Sequence, residues 1–503
     1  MGGSQVSKSF DVIFRGAEVY DGAGNAAQTA DVGVQNDRIA AIGSLDGSTG
    51  ALDIDANGLA LCPGFIDVHT HDDFAALAHP DMAFKSRGGV TTCIVGNCGF
   101  GAAPFAEATD MLGRLTPSLE VPQYVGHAGY AEAVNAARPG VNIGVLAGHG
   151  TIRMAAVGSE ERLPTDAEMR TMKDHLDEAL EAGVLGMSTG LIYDPGRYAK
   201  AQEITELAGQ MRGTGAVYAT HMRDEGLGLA DSVREAIAIG AGAGVPVQIS
   251  HHKASGRESW GMVSESLALI EAAQLRGENV HADQYPYTAG STSLQAVLEN
   301  GAFAQTGETG IGSISPQDVV VASSPGQGEW EGKSIAELAT MLAKPALEAA
   351  RSVVAASSGT TVILHMMSEE DVRTVMRHES TMIGSDGIPT LNGRPHPRLY
   401  NSFARVLGHY ARDENLFDMA TAVYRMCGMA ATKFGLMDRG HVAEGAYADL
   451  VLFDPATILD KGTFDDPNHY PGGIHRVFVN GVETVVDDQT SGRKGGRVLT
   501  RAR

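Results

Sequence analysis

Eight short apolar runs, separated by stretches of helical periodicity, constrain this chain more than any other feature: 64–68, 90–95, 141–146, 184–189, 216–220, 245–250, 279–283 and 381–385. Buried runs alternating with amphipathic stripes are the pattern of repeated βα units around a parallel sheet. Eight of them predict an α/β fold of the closed (β/α)8 TIM-barrel type, whose active site lies at the C-terminal ends of the strands. One intervening helix shows the rule. Thr165 and Glu168 fit a capping box, Met169, Met172, Leu176 and Leu180 share one face, and Gly183 stops it.

The two ends of the chain have a different texture. Short strands are expected at 11–16, at 31–35 turning through Asn36 and Asp37 into 38–42, and again at 448–454 and 477–481. Both ends are therefore expected to build one small β domain, with 1–60 and 441–503 as its parts and 61–440 as the catalytic barrel. The long interval between the seventh and eighth runs predicts an insertion at 288–380 above the active-site mouth. Within it 311–327 reads as loop, and 334–342 and 344–350 as helices.

Composition supplies exclusions. A chain of 503 residues, 43% hydrophobic and 20% charged, has room for one large and one smaller domain. A net charge of -23 lacks the basic face that nucleic acid or an anionic membrane requires. Residues 1–10 have no basic segment followed by an apolar core, and no apolar run reaches about 18 residues, so the expected location is the cytoplasm. Four cysteines, Cys62, Cys93, Cys98 and Cys427, are too few to staple the chain and suit a reducing compartment.

Residues with metal and proton chemistry gather where the apolar runs end: His69, His71, Cys98, His149, His221, His251, Asp283 and Asp386. A thiolate and two imidazoles from three strands make a three-ligand zinc site with an open position for water, and Cys98, His221 and His251 fit that role best. His69 and His71 are read as a second metal position or as hydrogen-bonding groups for an attacked carbonyl. The pair alternates along an extended backbone at the end of the first strand, so both rings face the barrel axis only if the strand end permits it. Asp386, in Gly384-Ser-Asp-Gly387, accepts a proton when ionised and can deliver it to a leaving nitrogen, with Asp283 the next choice.

Longer motifs carry a resemblance. PGFIDVHTHDD at 63–73, GNCG at 96–99, GHG at 148–150, STGLIYDPG at 188–196, THMRDE at 220–225, ISHHK at 249–253, YPYTAGS at 285–291, SDG at 385–387 and PHPR at 395–398 resemble the amidohydrolase superfamily, and within it the N-acyl-D-amino-acid deacylases (D-aminoacylases). The Cys-containing motif is the specific part. The resemblance implies hydrolysis of an N-acyl-D-amino acid to a carboxylate and a free D-amino acid. It also implies one tightly held Zn2+ on Cys98, His221 and His251, and a weaker second metal position lined by His69, His71 and Asp386. Tyr287, Ser291 and an arginine after the eighth strand match positions that bind the substrate α-carboxylate; Arg398 is chosen, with Arg394 as its competitor. Lys253 is expected to meet substrate or to counter the acidic mouth, and Tyr193 to wall the pocket or donate a hydrogen bond. His252 is expected to face away, and His149 to orient Asp386 or a metal ligand.

Two alternatives are weighed. A cyclic-amide hydrolase of the dihydroorotase or hydantoinase kind needs a lysine at the end of the fourth strand, where this chain runs Met187-Ser-Thr-Gly-Leu191. A non-catalytic assembly protein is at odds with intact Cys98, His221, His251 and Asp386. A neutral or hydrophobic D-side chain against Leu294, Met366 and Met367 is favoured over an acidic one, which would need a cation from Lys253, Arg394 or Arg223. The sequence assigns no oligomeric state.

Overall fold

The computed structural model describes residues 9–116, 119–303 and 310–501. Each of the eight apolar runs forms a strand, and all eight join one parallel sheet in chain order: Phe65–Asp67, Val90–Val95, Asn142–Gly148, Gly186–Gly190, Val217–His221, Val247–Ile249, Val280–Gln284 and Thr381–Ile383. A parallel bridge between Thr70 and Gly387 brings the first and eighth strands together and closes the barrel. Such runs lack polar alternation because both faces are covered. Ile66, Ile94, Leu146, Val217, Ala219 and Met382 form one cluster with Met429, Ala430 and Phe434. The latter belong to Gly428–Lys433 and the residue after it, where the Lys433 ammonium donates to Val247 O at 2.7 Å and Asn279 O at 3.1 Å. That helix therefore seals the end of the barrel where strands begin.

Between strands the helices form as their caps and stripes direct. Asp166–Glu181 starts at a complete Thr165/Glu168 capping box and buries Met169, Met172 and Leu176. No helix among the described residues is long and apolar enough to cross a membrane.

The two chain ends share one mixed sheet. Ala60–Pro63 pairs antiparallel with Leu450–Phe453, so the strands before the barrel continue directly into those after it. Val12, Phe14, Val32, Val34, Leu450, Leu452 and Phe478 make its core, with the Phe14 and Phe478 rings 5.3 Å apart edge to face. A buried polar cluster fixes this sheet to the barrel. Arg439 donates to Asp449 and, at 2.8 Å, to Asn480, whose amide donates to Asn142 at the start of the third barrel strand at 2.7 Å. The last strand, Val498–Leu499, leaves the small sheet and pairs parallel with the same barrel strand.

The interval between the seventh and eighth strands holds a three-stranded antiparallel sheet ordered Ala289–Ser293, Thr361–His365, Val319–Ser323, with helices Leu294–Glu299, Ile335–Met341 and Ala346–Ala356. Val319–Ser323 stands where a loop is expected from the sequence. Its Val-Val-Val-Ala core is flanked by Ser, Pro and Gly, and it becomes a strand because Thr361–His365 offers it a free edge. Glu369–Arg377 packs on Val263–Leu275 and on the last two barrel strands, so the βα pattern resumes there.

Removing Arg439 leaves Asp449 buried with its charge uncompensated. Arg439→Met is expected to lower unfolding stability by about 3 to 5 kcal/mol, read from urea denaturation at matched slope.

Candidate metal centre and active site

The strand-end residues converge. Cys98 Sγ lies 3.3 Å from His69 Nε2, 3.5 Å from His251 Nε2 and 3.7 Å from His221 Nδ1. With Zn–S near 2.3 Å and Zn–N near 2.0 to 2.1 Å, tetrahedral ligands stand about 3.6 Å apart, so these spacings suit a shared zinc ion. On the other side, Asp386 Oδ1 lies 3.1 Å from His71 Nε2 and 3.5 Å from His69 Nε2. Three groups that can hold a metal overlap: His69, Cys98 and His251; His69, His71 and Asp386; His221, Glu225 and His251. All of these side chains are buried.

Local backbone explains how the sequence puts them there. The first strand ends at Asp67 and the chain bends beyond it; His69 and His71, two residues apart and so on one side of an extended backbone, both reach Asp386. Cys98, His251 and Asp386 all have left-handed backbone, with φ of 55°, 34° and 49°. Non-glycine residues hold that conformation only where surrounding structure over-determines it. For Cys98 the surroundings are close: a Cβ on Gly96 would sit 2.1 Å from Leu146 O, and one on Gly190 2.0 Å from Cys98 O. Ser188 on the fourth strand completes the clamp, donating to Gly96 O and accepting from Gly99 N at 2.9 Å.

Electrostatics suits an anionic sulfur. Burial raises the Cys98 thiol, but His69 and the hydrogen bonds of His221 and His251 outweigh it and hold the group well below the ordinary thiol value. Burial likewise opposes ionisation of Asp386, yet Arg398, His251 and His71 hold its carboxyl well below the ordinary carboxylate range.

Arg398 is fully buried, its Nη2 2.9 Å from Asp386 Oδ2 and donating to Ser291 O at 3.2 Å. Its guanidinium carbon stands 4.4 Å from the Tyr285 ring centre, while Nε and Nη1 have no hydrogen-bond partner among the described residues. Arg394, the competitor, is exposed and donates to Asp465 O at 3.0 Å. Lys253 Nζ is held by Glu225 at 2.6 Å and lies 2.8 Å from His251 Nδ1. Tyr193 walls the cluster, its ring 5.1 Å from His221 and its hydroxyl 3.1 Å from Thr292 Oγ1 in the insertion. Tyr287 packs beside Arg405, His396 and Phe464, and it is Tyr285 that lies against Arg398. Ser291 takes part through its main-chain oxygen. His252, past the end of the strand Val247–Ile249, points away from the cluster to Ser266, 2.8 Å away.

Other residues are not where the sequence suggests. His149 lies 3.0 Å from Glu203, which also accepts from Arg153 at 3.1 Å, so its partner is a helix carboxylate and not Asp386. Asp283 accepts from His251 N at 2.7 Å and Gln248 at 2.8 Å and stands 3.3 Å from His69 Nδ1, an orienting carboxylate already committed. Arg223 pairs with Glu235 and carbonyls of 197 and 199. Glu225 was missed by residue-type reasoning. Burial raises its carboxyl, but Lys253, His221 and His251 outweigh this and keep it ionised, 3.0 Å from His251 Nδ1. Its four-residue offset from His221 was the available signal.

A parallel barrel that gathers a thiolate, four imidazoles and a carboxylate at its strand ends is a metal-dependent hydrolase architecture. The chain belongs to the amidohydrolase family, whose profile matches residues 53–490. It is 40% identical to D-aminoacylase from Alcaligenes xylosoxydans xylosoxydans over 98% of both chains. Two solved structures are also similar. One is a D-aminoacylase with a binuclear metal centre, described by one-metal activation and second-metal attenuation, at TM-score 0.89 and 41% identity over 98% of this chain and 100% of that one. The other is N-acyl-D-glutamate deacylase from Bordetella bronchiseptica with zinc and a phosphonate mimic of the tetrahedral intermediate, at TM-score 0.89 and 36% identity over the same shares.

Cys98→Ala removes the anionic ligand common to the cluster. The purified variant is expected to lose stoichiometric metal, measured by elemental analysis; full retention would reassign the ligands.

Proposed function

We propose that this chain is a zinc-dependent hydrolase that cleaves the amide bond of N-acyl-D-amino acids, releasing a carboxylate and a free D-amino acid. The observation that carries the reading is the buried Arg398 guanidinium beside Asp386, with Nε and Nη1 unsatisfied. Unused charged donors in a buried site suit an anionic group of the substrate, and an α-carboxylate stands two bonds from the amide nitrogen. The relatives' reactions support the same chemistry.

Cys98, His221 and His251 would hold the zinc, and the thiolate among them favours zinc over harder ions such as magnesium. His69, His71 and Asp386 would line a weaker second position. A zinc ion on Cys98, His221 and His251 would supply Lewis acidity to the amide carbonyl and make water more acidic. The chain's own residues do the rest. Asp386 Oδ1, ionised and facing His71, takes the proton from the attacking water and passes it to the departing nitrogen. Arg398 holds the α-carboxylate, fixed in turn by Ser291 O and the Tyr285 ring. Tyr193 and Tyr285 line the pocket, and Lys253 sets Glu225 against His251. With carboxylate and carbonyl both fixed, the side chain has one permitted direction, so the L-enantiomer meets a wall.

The cations favour a neutral or hydrophobic D-side chain. Arg223 is engaged by Glu235, Lys253 by Glu225 and Arg394 by Asp465 O, while Met367 Sδ lies 3.5 Å from the Tyr285 hydroxyl. A linear amide is favoured over a cyclic one because the fourth strand uses Ser188 to clamp the Cys98 loop and carries no lysine. Four free, buried cysteines support a reducing compartment such as the cytoplasm.

The direct test is amine release from N-acetyl derivatives of D-Met, D-Leu, D-Glu and D-Asp and their L-forms. Turnover confined to the L-series would refute the reading. Asp386→Asn is expected to fold and keep zinc while kcat falls by about 10² to 10⁴, since the amide cannot relay the proton. Arg398→Lys is expected to cost about 1 to 3 kcal/mol in kcat/KM on an N-acyl-D-amino acid and far less on the matching N-acyl amine. Equal losses on both substrates would remove Arg398 from carboxylate recognition.

A further inference from the structure

The barrel seam is built unlike the other joints. Neighbouring strands elsewhere share backbone ladders, whereas the first and eighth are linked among the described residues by the single bridge Thr70–Gly387. Main-chain bonds there are Asp386 N to His69 O at 2.7 Å and His71 N to Gly387 O at 3.0 Å. The gap beneath them is filled by side chains. Lys85, on the short helix Ala83–Ser86, is 1% exposed and its ammonium donates to Asp67 Oδ2 at 2.7 Å, Thr70 Oγ1 at 2.9 Å and Ser385 Oγ at 2.8 Å, with Asp72 at 3.3 Å. Asp67 in turn accepts from Ser385 N at 2.8 Å and Ser385 Oγ at 2.6 Å, and Gly387 N donates to Ser385 Oγ at 3.0 Å.

We propose that Lys85 is a positioning residue for the deacylation, whose ammonium ties Asp67 of the first strand to Ser385 of the eighth and thereby sets Asp386 against His69 and His71. It rests on the function proposed above. The reason is mechanical. Asp386 sits in a left-handed conformation three residues beyond the short strand Thr381–Ile383, and its two flanking residues are the ones this network holds. His69 and His71 leave the first strand just past Asp67, on the other side of the same ammonium. A cation is costly to bury, and it is retained where several acceptors from both sides of a joint must be held at once. Lys85 lies behind the loop and acts through Ser385, so its loss should shift the proton-relaying carboxylate while Arg398 and the Cys98 cluster stay in place.

Two variants test this as zinc-loaded enzymes: Lys85→Met, and Ser385→Ala, which breaks the tie without leaving a buried lysine hole. Both are expected to lower kcat at least about tenfold, because small misplacements of a reacting group are expensive, while KM stays within about twofold. The thiolate-to-cobalt absorption of the Co2+-substituted protein should be unchanged, marking an intact Cys98 cluster. Crystal structures of the variants should show the Asp386 Oδ1 to His71 Nε2 spacing, 3.1 Å here, lengthened or Asp386 out of its left-handed backbone. Wild-type kcat in folded Ser385→Ala, loss expressed in KM alone, or an unmoved Asp386 in its crystals would each overturn the proposal. The crystallographic measurement stands even if the wild-type enzyme turns over no N-acyl-D-amino acid, an outcome that would sink the deacylase reading alone.

Discussion

A sulfur held within 3.7 Å of three imidazoles is the interaction on which this active centre depends. A buried thiolate is unstable by itself, and burial alone would drive Cys98 toward the neutral thiol. The converging histidines reverse that balance, and a metal ion would complete the reversal. Each imidazole is in turn oriented from behind: His251 by Glu225 and Lys253, His69 by Asp283. The imidazoles are therefore fixed from behind by Glu225, Lys253 and Asp283.

Closing the barrel is what makes the convergence happen. Cys98 follows the second strand, His221 ends the fifth, His251 follows the sixth and Asp386 the eighth, so His221 and His251 meet across adjacent strands while Cys98 and Asp386 join them only when the sheet curls shut. Three of these loops reach their geometry through left-handed residues, a strain of order 1 to 3 kcal/mol apiece offset by packing below. Glycines at 96 and 190 matter for the same reason, since each lets backbone approach backbone where a side chain has no room.

Above the strand ends the insertion sheet meets the cluster. Tyr193 reaches from the fourth-strand loop to Thr292, and Ser291 beside it holds Arg398. The barrel thus carries the cluster of possible metal ligands, and Arg398 is held where the barrel meets the insertion. Lys253, Arg223 and Arg394 are each committed to a protein acceptor, whereas Nε and Nη1 of Arg398 have no hydrogen-bond partner among the described residues.

Much of this was legible in the sequence because burial leaves a local mark. Runs of apolar residues announced eight strands and the polar residues closing them announced Cys98, His69, His71, His221, His251 and Asp386, since a barrel must present strand ends at its mouth. The pairing of the two chain ends was legible from texture alone. What tertiary structure decided is whatever depends on distance between residues remote in the chain. Arg398 and Arg394 are four positions apart and chemically identical, and burial beside Asp386 separates them. His149 follows a strand as His221 ends one, yet it faces a helix carboxylate, because the direction of a side chain after a strand is set by the turn it enters. Glu225 and Lys85 read as ordinary charges on loop and helix. Their roles arise only where the fold encloses them, for a charge becomes a structural tie when water is removed from around it and partners from distant strands take its place.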